Sequence, residues 1–550
     1  MKKKGPNFIE QIIEGDISRG FKKDDLRFRF PPEPNGYLHI GHLKAICLNF
    51  NLGEKYGAPV NLRFDDTNPE KEAKEYVDAI KNDILWLGYK WNKECYASDY
   101  FEQLYNWALV LIEKDLAFID SQSSEDIANQ KGTPTKEGKA SPYRDRDIEE
   151  SLKIFKEMHN GDHKQGEHVL RAKINMSSPN MLMRDPVIYR AMDSNHHRTG
   201  DSWKIYPMYD WTHGESDYIE QVSHSLCTLE FEPHRELYDW FLDSISPLKG
   251  IRPKQREFSR LNLSYTITSK RNLAKLVEEG VVGGWDDPRM PTISGLRNRG
   301  YTPESLKSFA LTVGISKREN VIDVSLLEFC VRSHLNEEAP RAMAVLDPLK
   351  ISIINYKENK EESVNFDINP QKPSQGKREI LFSKNIYIER EDFQENPEEG
   401  FFRLSLGEEV RLKNAYIIKA TNIIKNEDGQ ITEVECEYDE KSKSGSNTEE
   451  SNRKVKATIH WVSAETAEPA TINIYDRLFK VPEPGKSQDL LSEVNENSLE
   501  IKSAKVEPYL ANAKEGDHFQ FQRSGYFVRT NNKKTLEFNK TVGLRDGWKK

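Results

Sequence analysis

Cysteine is scarce in this chain of 550 residues, with five in all and no two of them in a Cys-x-x-Cys pair. An odd number without metal-ligand spacing argues against a disulfide framework and against structural zinc, and it is typical of reduced thiols in a cytoplasmic protein. No run approaches the ~20 apolar residues that a membrane span needs, so we expect no membrane association. No Gly-x-Gly-x-x-Gly motif follows the first predicted strand, which disfavours a dinucleotide-dependent oxidoreductase.

Excess positive charge is also absent, because the net charge is −9 and the isoelectric point is about 5.9. This balance does not exclude a nucleic-acid partner, since phosphate binding depends on the local field of a groove rather than on the sum over a large surface. The length predicts roughly three to five domains.

A strand, turn and helix are predicted between Arg27 and Leu52. Alternation at 27–30 indicates a short strand, the Pro-Asn-Gly step at 34–36 ends it, and apolar residues then return at helical spacing from Leu43. His39 and His42 therefore lie at a helix N-terminus, which is an anion site because its backbone N–H groups are unpaired. Half of a metal site, or two surface histidines, are the alternatives for this His-x-x-His pair.

A second stretch, 260–273, places Ser269, Lys270 and Arg271 between a polar turn and a new helical run. Mobile positive charge on a loop can close over phosphates. The Ser-Lys-Arg tripeptide alone is a weak signal. Together with the first stretch, and in this order, it forms a specific pattern.

The two stretches resemble the signatures of the class I aminoacyl-tRNA synthetases, in the glutamyl/glutaminyl subclass. Residues 29–42, Arg-Phe-Pro-Pro-Glu-Pro-Asn-Gly-Tyr-Leu-His-Ile-Gly-His, match the first signature throughout. The second signature reads Ile267-Thr268-Ser269-Lys270-Arg271, in which Thr268 replaces the usual Met. The similarity extends from about residue 7 to residue 548.

The resemblance implies ATP-dependent ligation of L-glutamine to the 3′ end of tRNA-Gln through glutaminyl adenylate, with release of AMP and pyrophosphate. It implies ATP and Mg²⁺ as cofactors, no structural zinc, tRNA-Gln and L-glutamine as partners, and a cytoplasmic monomer. The implied catalytic residues are His39, His42, Ser269 and Lys270. The implied ATP-binding residues are Glu33, Pro34, Asn35, His39, Ile40, Gly41, His42, Leu43, Lys44, Ala45, Thr228, Arg260, Leu261, Thr268, Ser269 and Lys270.

A glutamine pocket is implied at Arg29, Asp65, Tyr209, Cys227 and Gln255. Asp65 follows a predicted strand at 59–64, and the carboxyl end of such a strand is where open α/β sheets bind ligands. Glutamyl enzymes of the subclass commonly carry Arg at the position of Cys227. A neutral residue suits an amide, because burying a charged glutamate without a counter-charge costs several kcal/mol.

Secondary structure around these residues follows from local signals. Asn68 and Pro69 predict the start of a helix that ends at Gly88. The sheet is expected to resume at 205–211 and to continue to 224–230. Helical runs are predicted near 102–116 and 147–158, and the turn signals at 302–305 predict a helix that ends at Gly314. Alternation from Arg341 onward predicts short strands of β-barrels, with polar loops at 359–377 and 440–453.

The fold class we predict is multidomain α/β plus all-β. It comprises a Rossmann-like catalytic domain in two halves, 1–99 and 207–262, and an α/β acceptor-stem-binding insertion at 100–206. A helical stem-contact linker at 263–338 and two anticodon-binding β-barrels at 339–550 follow, with the distal barrel at roughly 399–477. The resemblance places the acceptor-end wedge on the loop that carries Pro134, and anticodon contacts at Arg341, Arg403, Arg411, Gln520 and Arg523. Unpaired bases expose edges that Arg and Gln can bind.

Two alternatives remain open at this point. An archaeal-type glutamyl-tRNA synthetase shares the β tail and differs in the pocket, whereas bacterial glutamate-specific members carry a helical domain there. A non-catalytic RNA-binding paralogue would keep the barrels but usually lose a signature residue, and His39, His42 and Lys270 are all present.

Overall fold

The computed structural model describes residues 5–358, 360 and 362–545. The predictions that touch residues 1–4, 359, 361 and 546–550 therefore lie partly outside the described residues. The chain forms two compact units, one of Met1–Asn262 with Ala310–Ile322 and the other of Leu263–Phe309 with Asp323–Lys550.

Twelve α-helices are present in the described part of the chain. Their bounds are α1 (Phe8–Ser18), α2 (Ile40–Tyr56), α3 (Lys74–Trp86), α4 (Phe101–Glu113), α5 (Ser124–Gln130), α6 (Ile148–Asn160), α7 (Tyr209–Ile219), α8 (Arg235–Ser244), α9 (Lys270–Glu278), α10 (Ile293–Asn298), α11 (Pro303–Val313) and α12 (Val324–Glu338). Among the residues that the structure describes, no helix is both long and apolar enough to span a membrane.

The strands of the first half of the chain are short. They are β1 (Phe28–Phe30), β2 (Val60–Phe64), β3 (Glu94–Tyr96), β4 (Ala117–Asp120), β5 (Val169–Ala172), β6 (Val187–Ala191), β7 (Ile205–Pro207), β8 (His224–Thr228), β9 (Lys254–Phe258), β10 (Asn262–Leu263) and β11 (Val321–Ile322).

The second half of the chain is dominated by strands. They are β12 (Arg341–Ala342), β13 (Ala344–Val345), β14 (Pro348–Ile353), β15 (Glu362–Asp367), β16 (Lys377–Phe382), β17 (Asn385–Glu389), β18 (Glu409–Leu412), β19 (Ile417–Lys425), β20 (Ile431–Tyr438), β21 (Thr458–Ile459), β22 (Val462–Ser463), β23 (Glu468–Tyr475), β24 (Leu499–Val506), β25 (His518–Phe521), β26 (Gly525–Arg529) and β27 (Glu537–Val542).

Parallel strands form the centre of the first unit. β1, β2 and β3 pair in that order, and β8 pairs in parallel with β9. The backbone N–H of Ser223 donates to the carbonyl of Arg27, which joins the start of β8 to the start of β1. The carboxyl ends of β1, β2 and β8 therefore carry Pro31, Asp65 and Leu229 as the next residues. Side chains on this edge are those that open α/β sheets use for ligands.

The insertion between β3 and α7 has its own antiparallel sheet of β4, β5, β6 and β7. β7 covers 205–207 within that sheet, and Tyr209 begins helix α7. The prediction that 205–211 resumes the parallel sheet was therefore wrong. Short apolar runs do not separate a strand from a buried helix start, and Met208 is the extended N-cap residue between the two elements.

Helix α3 begins at Lys74, so the predicted start at Asn68 and Pro69 was wrong. The backbone N–H of Asn68 donates to Glu72 Oε1 at 2.9 Å, and the 68–73 segment forms a turn before the helix. Asn and Pro mark turns as well as helix starts, which is why the local signal was ambiguous.

Two seven-stranded sheets make up most of the second unit. One has the order β12-β25-β26-β27-β23-β24-β13, and the other has the order β21-β18-β19-β20-β14-β17-β22. The second sheet thus contains strands from 348 to 463, which differs from the predicted distal barrel at 399–477. Each sheet covers its own apolar core, with Trp461 buried in one and Phe521 in the other.

The polar segment predicted as a loop at 359–377 contains one strand of a hairpin. β15 at 362–367 pairs with β16, and Val364 and Phe366 are buried on one face of it. The strand was missed because only two apolar residues interrupt its polar run. The segment at 440–453 does lack strands and contains two short 3₁₀ turns.

Candidate functional site

His39 and His42 lie at the first turn of α2, as predicted. The His39 Nδ1 atom accepts the backbone N–H of Gly41, and His42 Nδ1 accepts the backbone N–H of His39, each at 3.1 Å. These bonds place the hydrogen of each neutral imidazole on Nε2, and the ring centroids are 3.9 Å apart. Two N–H donors and a helix N-terminus together suit an anionic oxygen.

Lys44 is a further predicted ATP-binding residue of this helix, but its ammonium group is buried. Nζ donates to the carbonyl oxygen of Ser259 at 2.6 Å and to its hydroxyl at 2.8 Å. Burial lowers the pKa of Lys44 to about 8. Its contacts therefore fix α2 against residue 259, which precedes the predicted ATP-binding pair Arg260 and Leu261.

The remaining predicted ATP contacts of the first unit divide by exposure. Arg260 has a side chain that is 52% exposed and pairs loosely with Glu230 and Glu319, at 4.0 and 3.7 Å. Thr228 donates its hydroxyl hydrogen to Glu230. Pro34, Ile40, Leu43 and Leu261 are buried, and Glu33, Asn35, Gly41 and Ala45 are at least partly exposed.

One buried aspartate organises the predicted amino-acid pocket. Asp217 on α7 accepts from Arg29 Nε at 3.0 Å and from Arg63 Nη1 at 2.6 Å, and all three side chains are 0% exposed. Burial alone would raise the pKa of Asp217, but Arg29 and Arg63 hold it far below its ordinary value. Paired charges of this kind are costly to break, because the remaining partner stays buried.

Arg29 uses its other nitrogens inside the protein as well. Nη1 donates to the carbonyl of Leu226, and Nη2 donates to the hydroxyl of Ser225. The predicted glutamine contact at Arg29 therefore requires that one of these bonds be exchanged for a substrate atom. In this structure the Arg29 side chain is fully buried.

Asp65 and Tyr209 belong to the same predicted pocket. Asp65 Oδ1 accepts from Arg63 Nε at 2.6 Å, and Oδ2 lies 3.5 Å from His213 Nδ1, with no closer partner among the described residues. Burial raises the pKa of Asp65, but Arg63 and His213 outweigh it and the pKa is lowered. The ring of Tyr209 stacks on His213 with centroids 4.9 Å apart. An ionised carboxylate with an unused oxygen can accept an ammonium group.

Cys227 and Gln255 are the neutral members of the predicted pocket. Burial raises the pKa of the Cys227 thiol, so the group is uncharged. Gln255 donates from Nε2 to the carbonyl of Phe231 at 2.8 Å and to Glu257 at 3.0 Å. Glu257 in turn pairs with Arg235.

The second signature belongs to the second unit. Lys270 is the first residue of α9, Ser269 is its exposed N-cap residue, and Thr268 is half-buried. Ile267 is buried in a cluster with Leu273 and Phe479. The lysine thus begins a helix that is anchored by the packing of Ile267 and Leu273, and this places its charge at a defined point of the unit.

A second buried aspartate organises two of the predicted anticodon contacts. Asp392 is 0% exposed and accepts from Arg523 through both oxygens, at 2.6 and 2.7 Å, and its Oδ1 forms an ion pair with Arg403 Nε at 3.3 Å. The side chains of Arg523 and Arg403 are 30% and 36% exposed. Both guanidinium groups therefore reach solvent while they are held.

Gln520 and Arg341 are neighbours in the register of β25 and β12. Gln520 Nε2 donates to the hydroxyl of Tyr526, which donates to Asn336 Oδ1. Arg341 is 5% exposed and donates to Asn336 and to the carbonyl of Ala339. The structure brings these predicted contacts together on one polar cluster.

Arg411 stands apart from both groups. Its guanidinium donates to the carbonyls of Ser442, Ser451 and Arg453, so it closes the 440–453 segment onto β18. These contacts explain its position without RNA. Its predicted anticodon role is not supported by any exposed donor pair of the kind seen at Arg523.

Family models match most of this chain. The model described as tRNA synthetases class I (E and Q), catalytic domain, matches residues 25–337, and two models described as the anti-codon binding domain of the same group match 339–439 and 458–530. The chain belongs to the class I tRNA synthetases of the E and Q group.

Several curated relatives of this synthetase match along its whole length. A protein named glutamine–tRNA ligase from Vibrio vulnificus is 53% identical over 99% of this chain and 98% of its own length. A protein of the same name from Cronobacter sakazakii is 52% identical with the same coverage. A solved glutamate tRNA ligase from Elizabethkingia meningosepticum aligns with 57% of this chain and 70% of its own, at 17% identity and a TM-score of 0.43.

Sequence reasoning about this synthetase missed the groups that hold the pocket together. Asp217, Arg63 and His213 were not predicted as site residues, although each contacts a residue that was. Arg63 stands two residues before Asp65, and this proximity was a usable signal. Asp217 and His213 lie about 150 to 190 residues away from Arg29 and Arg63, and no sequence signal linked them to the pocket.

Proposed function

We propose that this synthetase ligates L-glutamine to the 3′ end of tRNA-Gln, with ATP as the energy source and AMP and pyrophosphate as products. The single observation that carries the proposal is the 53% identity, over nearly the full length of both chains, to a protein named glutamine–tRNA ligase. Proteins this similar along every domain seldom differ in their amino-acid substrate.

The charges around Cys227 support glutamine over glutamate. Within the described residues near the pocket, Arg29 and Arg63 pair with Asp217, and Arg235 pairs with Glu257. No guanidinium in this set is left to neutralise a second substrate carboxylate. Burying that carboxylate unpaired would cost several kcal/mol, whereas an amide needs only hydrogen bonds.

The reaction we infer has two steps. The carboxylate of glutamine attacks the α-phosphorus of ATP, which enters as its magnesium complex, and pyrophosphate leaves. A ribose hydroxyl at the tRNA 3′ end then attacks the acyl carbon of the adenylate, and AMP leaves. Asp65 binds the ammonium group of glutamine, while Nε2–H of His39 and of His42 donates to phosphate oxygens. Lys270, with Ser269, holds the departing pyrophosphate.

The division of RNA binding along the chain is part of the same proposal. The insertion at 100–206 binds the acceptor end, with Pro134 on the wedge loop, and the helical linker at 263–338 contacts the stem. Arg403 and Arg523, with Arg341 and Gln520, contact unpaired anticodon bases, since side chains of these types bind base edges. The enzyme acts as a cytoplasmic monomer.

Charging assays with two RNAs and two amino acids test the proposed function. Transcripts of tRNA-Gln and tRNA-Glu are each incubated with ATP, magnesium and either labelled glutamine or labelled glutamate. We expect charging of tRNA-Gln with glutamine and none of the other three products above background. Charging with glutamate would favour the glutamyl alternative, and no charging with retained RNA binding would favour the non-catalytic one.

The signature residues have their own test. His42→Ala and Lys270→Ala should each slow adenylate formation by raising its activation free energy by about 2–4 kcal/mol, while tRNA affinity is retained. The matched controls are His168→Ala in the insertion and Lys275→Ala on α9, which alter the same residue types elsewhere. Turnover of His42→Ala or Lys270→Ala equal to that of its control would contradict the assigned roles.

Cys227→Arg distinguishes glutamine from glutamate specificity. The added guanidinium would lie beside Arg29 and Arg235, so we expect kcat/KM for glutamine to fall about 100-fold. Cys227→Ser keeps a small neutral group and should change it less than about 3-fold. Unchanged glutamine kinetics in Cys227→Arg would remove Cys227 from the pocket.

A further inference from the structure

The 65–73 segment, which follows β2 and contains Asp65, is fixed on one side by the first signature turn. The backbone N–H of Asp65 donates to the carbonyl of Pro32, and the backbone N–H of Ala73 donates to the carbonyl of Pro34, each at 3.1 Å. The segment has no regular secondary structure of its own before Lys74. Its position therefore depends on contacts with its neighbours.

The other side of this segment is held by the insertion, through the 192–204 loop that joins β6 to β7. His196 in that loop donates from Nε2 to the carbonyl of Asp66 at 2.9 Å. Its Nδ1 accepts the backbone N–H groups of Arg198 and Thr199, both at 3.2 Å. The ring is 0% exposed, so both nitrogens have a structural partner and the tautomer is fixed.

The side chain of Asp66 extends this contact. Its carboxylate is 0% exposed and accepts from the backbone N–H of Ser98 at 2.9 Å and from the Ser98 hydroxyl at 2.7 Å. Arg198 of the 192–204 loop donates to the same hydroxyl at 2.7 Å. His197 Nε2 lies 3.3 Å from Asp66 Oδ2. Three successive residues of the loop thus reach Asp66 or its direct partner.

A metal site is the competing interpretation, because Asp66, His196 and His197 offer three ligand atoms close together. Metal ligation through His196 Nε2 would break its bond to the carbonyl of Asp66, and ligation through Nδ1 would leave two backbone N–H groups unpaired. Unpaired buried groups cost about 1–3 kcal/mol each. The hydrogen bonds therefore favour a positioning role for this histidine.

We propose that the 192–204 loop sets the position of Asp65 through Asp66, and that His196 is a positioning residue for amino-acid binding. Because Asp65 and Asp66 share a peptide bond, a shift of the Asp66 carbonyl moves the carboxylate that receives the substrate ammonium group. The inference rests on the proposed function, in which Asp65 binds the ammonium group of glutamine.

His196→Ala tests this role through a split between two kinetic constants. Loss of one buried hydrogen bond should raise KM for glutamine about 10-fold, with kcat and KM for ATP within about 3-fold of the wild type. His196→Gln keeps an N–H donor near the carbonyl and should recover most of the affinity. His168→Ala is the matched control, because His168 lies in the same insertion but contacts Ser121.

Ser98→Ala provides a milder second variant if His196→Ala does not fold. It removes the hydroxyl that joins Arg198 to Asp66, and we expect a rise of about 3-fold in KM for glutamine. Folded His196→Ala or Ser98→Ala enzyme with wild-type KM for glutamine would overturn this inference and leave the proposed function intact. A wild-type enzyme that does not charge tRNA-Gln with glutamine would overturn both.

Discussion

The amino-acid pocket and the sheet region around Asp392 share one device, a fully buried aspartate that holds two arginines. In the pocket, Asp217 holds Arg29 and Arg63, and neither guanidinium has any exposed surface. In the second unit, Asp392 pairs with Arg523 and Arg403, whose side chains remain 30% and 36% exposed. The same pairing is therefore sealed in the protein interior at Asp217, whereas at Asp392 it leaves the arginine side chains in contact with solvent.

The difference in exposure predicts a difference in what each aspartate does. A sealed pair fixes the shape of a small pocket and cannot be hydrated when it is broken. A pair whose arginine side chains reach solvent can offer the remaining N–H groups to a base edge while the buried aspartate keeps its partners. Substitutions at the two aspartates, and at carboxylates beside them, test whether the two ion pairs differ in this way.

Asp217→Asn should have the largest effect. It removes the charge that neutralises Arg29 and Arg63, and we expect a loss of about 3–5 kcal/mol in the free energy of unfolding of the first unit. Urea denaturation followed by hydrogen exchange of β1 and β2 peptides measures it. A loss below about 1 kcal/mol would mean that the two arginines do not depend on this partner.

Glu215→Gln should act in the opposite direction, although Glu215 lies on the same helix as Asp217. Glu215 is 0% exposed, both its oxygens lack a hydrogen-bond partner among the described residues, and burial raises its pKa well above the ordinary value. The folded state thus favours the protonated form. Its contribution to stability is complete below the unfolded pKa of about 4.5 and is lost as pH rises toward the folded pKa.

The glutamine at position 215 carries no such charge, so the stability of the variant relative to the wild type should rise by about 1.4 kcal/mol per pH unit above the unfolded pKa. Urea midpoints of both proteins at pH 5, 6 and 7 measure this slope. Parallel pH profiles for the two proteins would show that Glu215 ionises in the folded state as readily as in the unfolded one.

The contrast between these two carboxylates explains what could be predicted from the sequence. The position of the signature histidines at a helix N-terminus, the strands predicted at 59–64 and 224–230 and the β-rich tail follow from local patterns, and the structure confirms them with strands at 60–64 and 224–228. Asp217 and Glu215 stand in one short stretch, Gly-Glu-Ser-Asp, in which nothing local separates a paired from an unpaired carboxylate. The partners of Asp217 come from β1 and β2, and only the fold brings them together.

Local patterns also failed to give the hydrogen-bond partners of two predicted residues, Asn68 and Arg411. Asn68 and Pro69 have the composition of a helix start, but the Glu72 carboxylate takes the backbone N–H of Asn68 and the helix begins at Lys74. The prediction of Arg411 as an RNA contact rested on the resemblance, and the structure adds three carbonyl partners, 31 to 42 residues away, that local patterns do not show. Contacts between side chains that are far apart in the sequence are the part of a site that cannot be predicted from a single sequence.

Asp392→Asn should have a smaller effect than Asp217→Asn. Arg523 and Arg403 can be hydrated where they stand, so we expect a stability loss of about 1–2 kcal/mol. Loss of their orientation should raise KM for tRNA-Gln about 10-fold with KM for glutamine unchanged. Aminoacylation kinetics with each substrate varied in turn would check this. An equal rise in both constants would point to a general loss of folding.

Glu391→Gln should have the smallest effect. Glu391 also pairs with Arg403, at 3.4 Å, but its side chain is 73% exposed. Exposed pairs contribute about 0–1 kcal/mol, so we expect stability and both Michaelis constants close to those of the wild type. A large effect on tRNA binding would show that Arg403 is held by Glu391 rather than by Asp392.

The most direct test of the comparison is to replace one arginine of each pair by lysine, in Arg29→Lys and Arg523→Lys, and to measure KM for glutamine and KM for tRNA-Gln in both variants. Lysine keeps the charge but cannot make the two-pronged contact with aspartate. We predict that Arg29→Lys raises KM for glutamine about 10-fold and leaves KM for tRNA-Gln unchanged, and that Arg523→Lys does the reverse. A rise of the same constant in both variants would contradict the assignment of one pair to the amino acid and the other to the RNA.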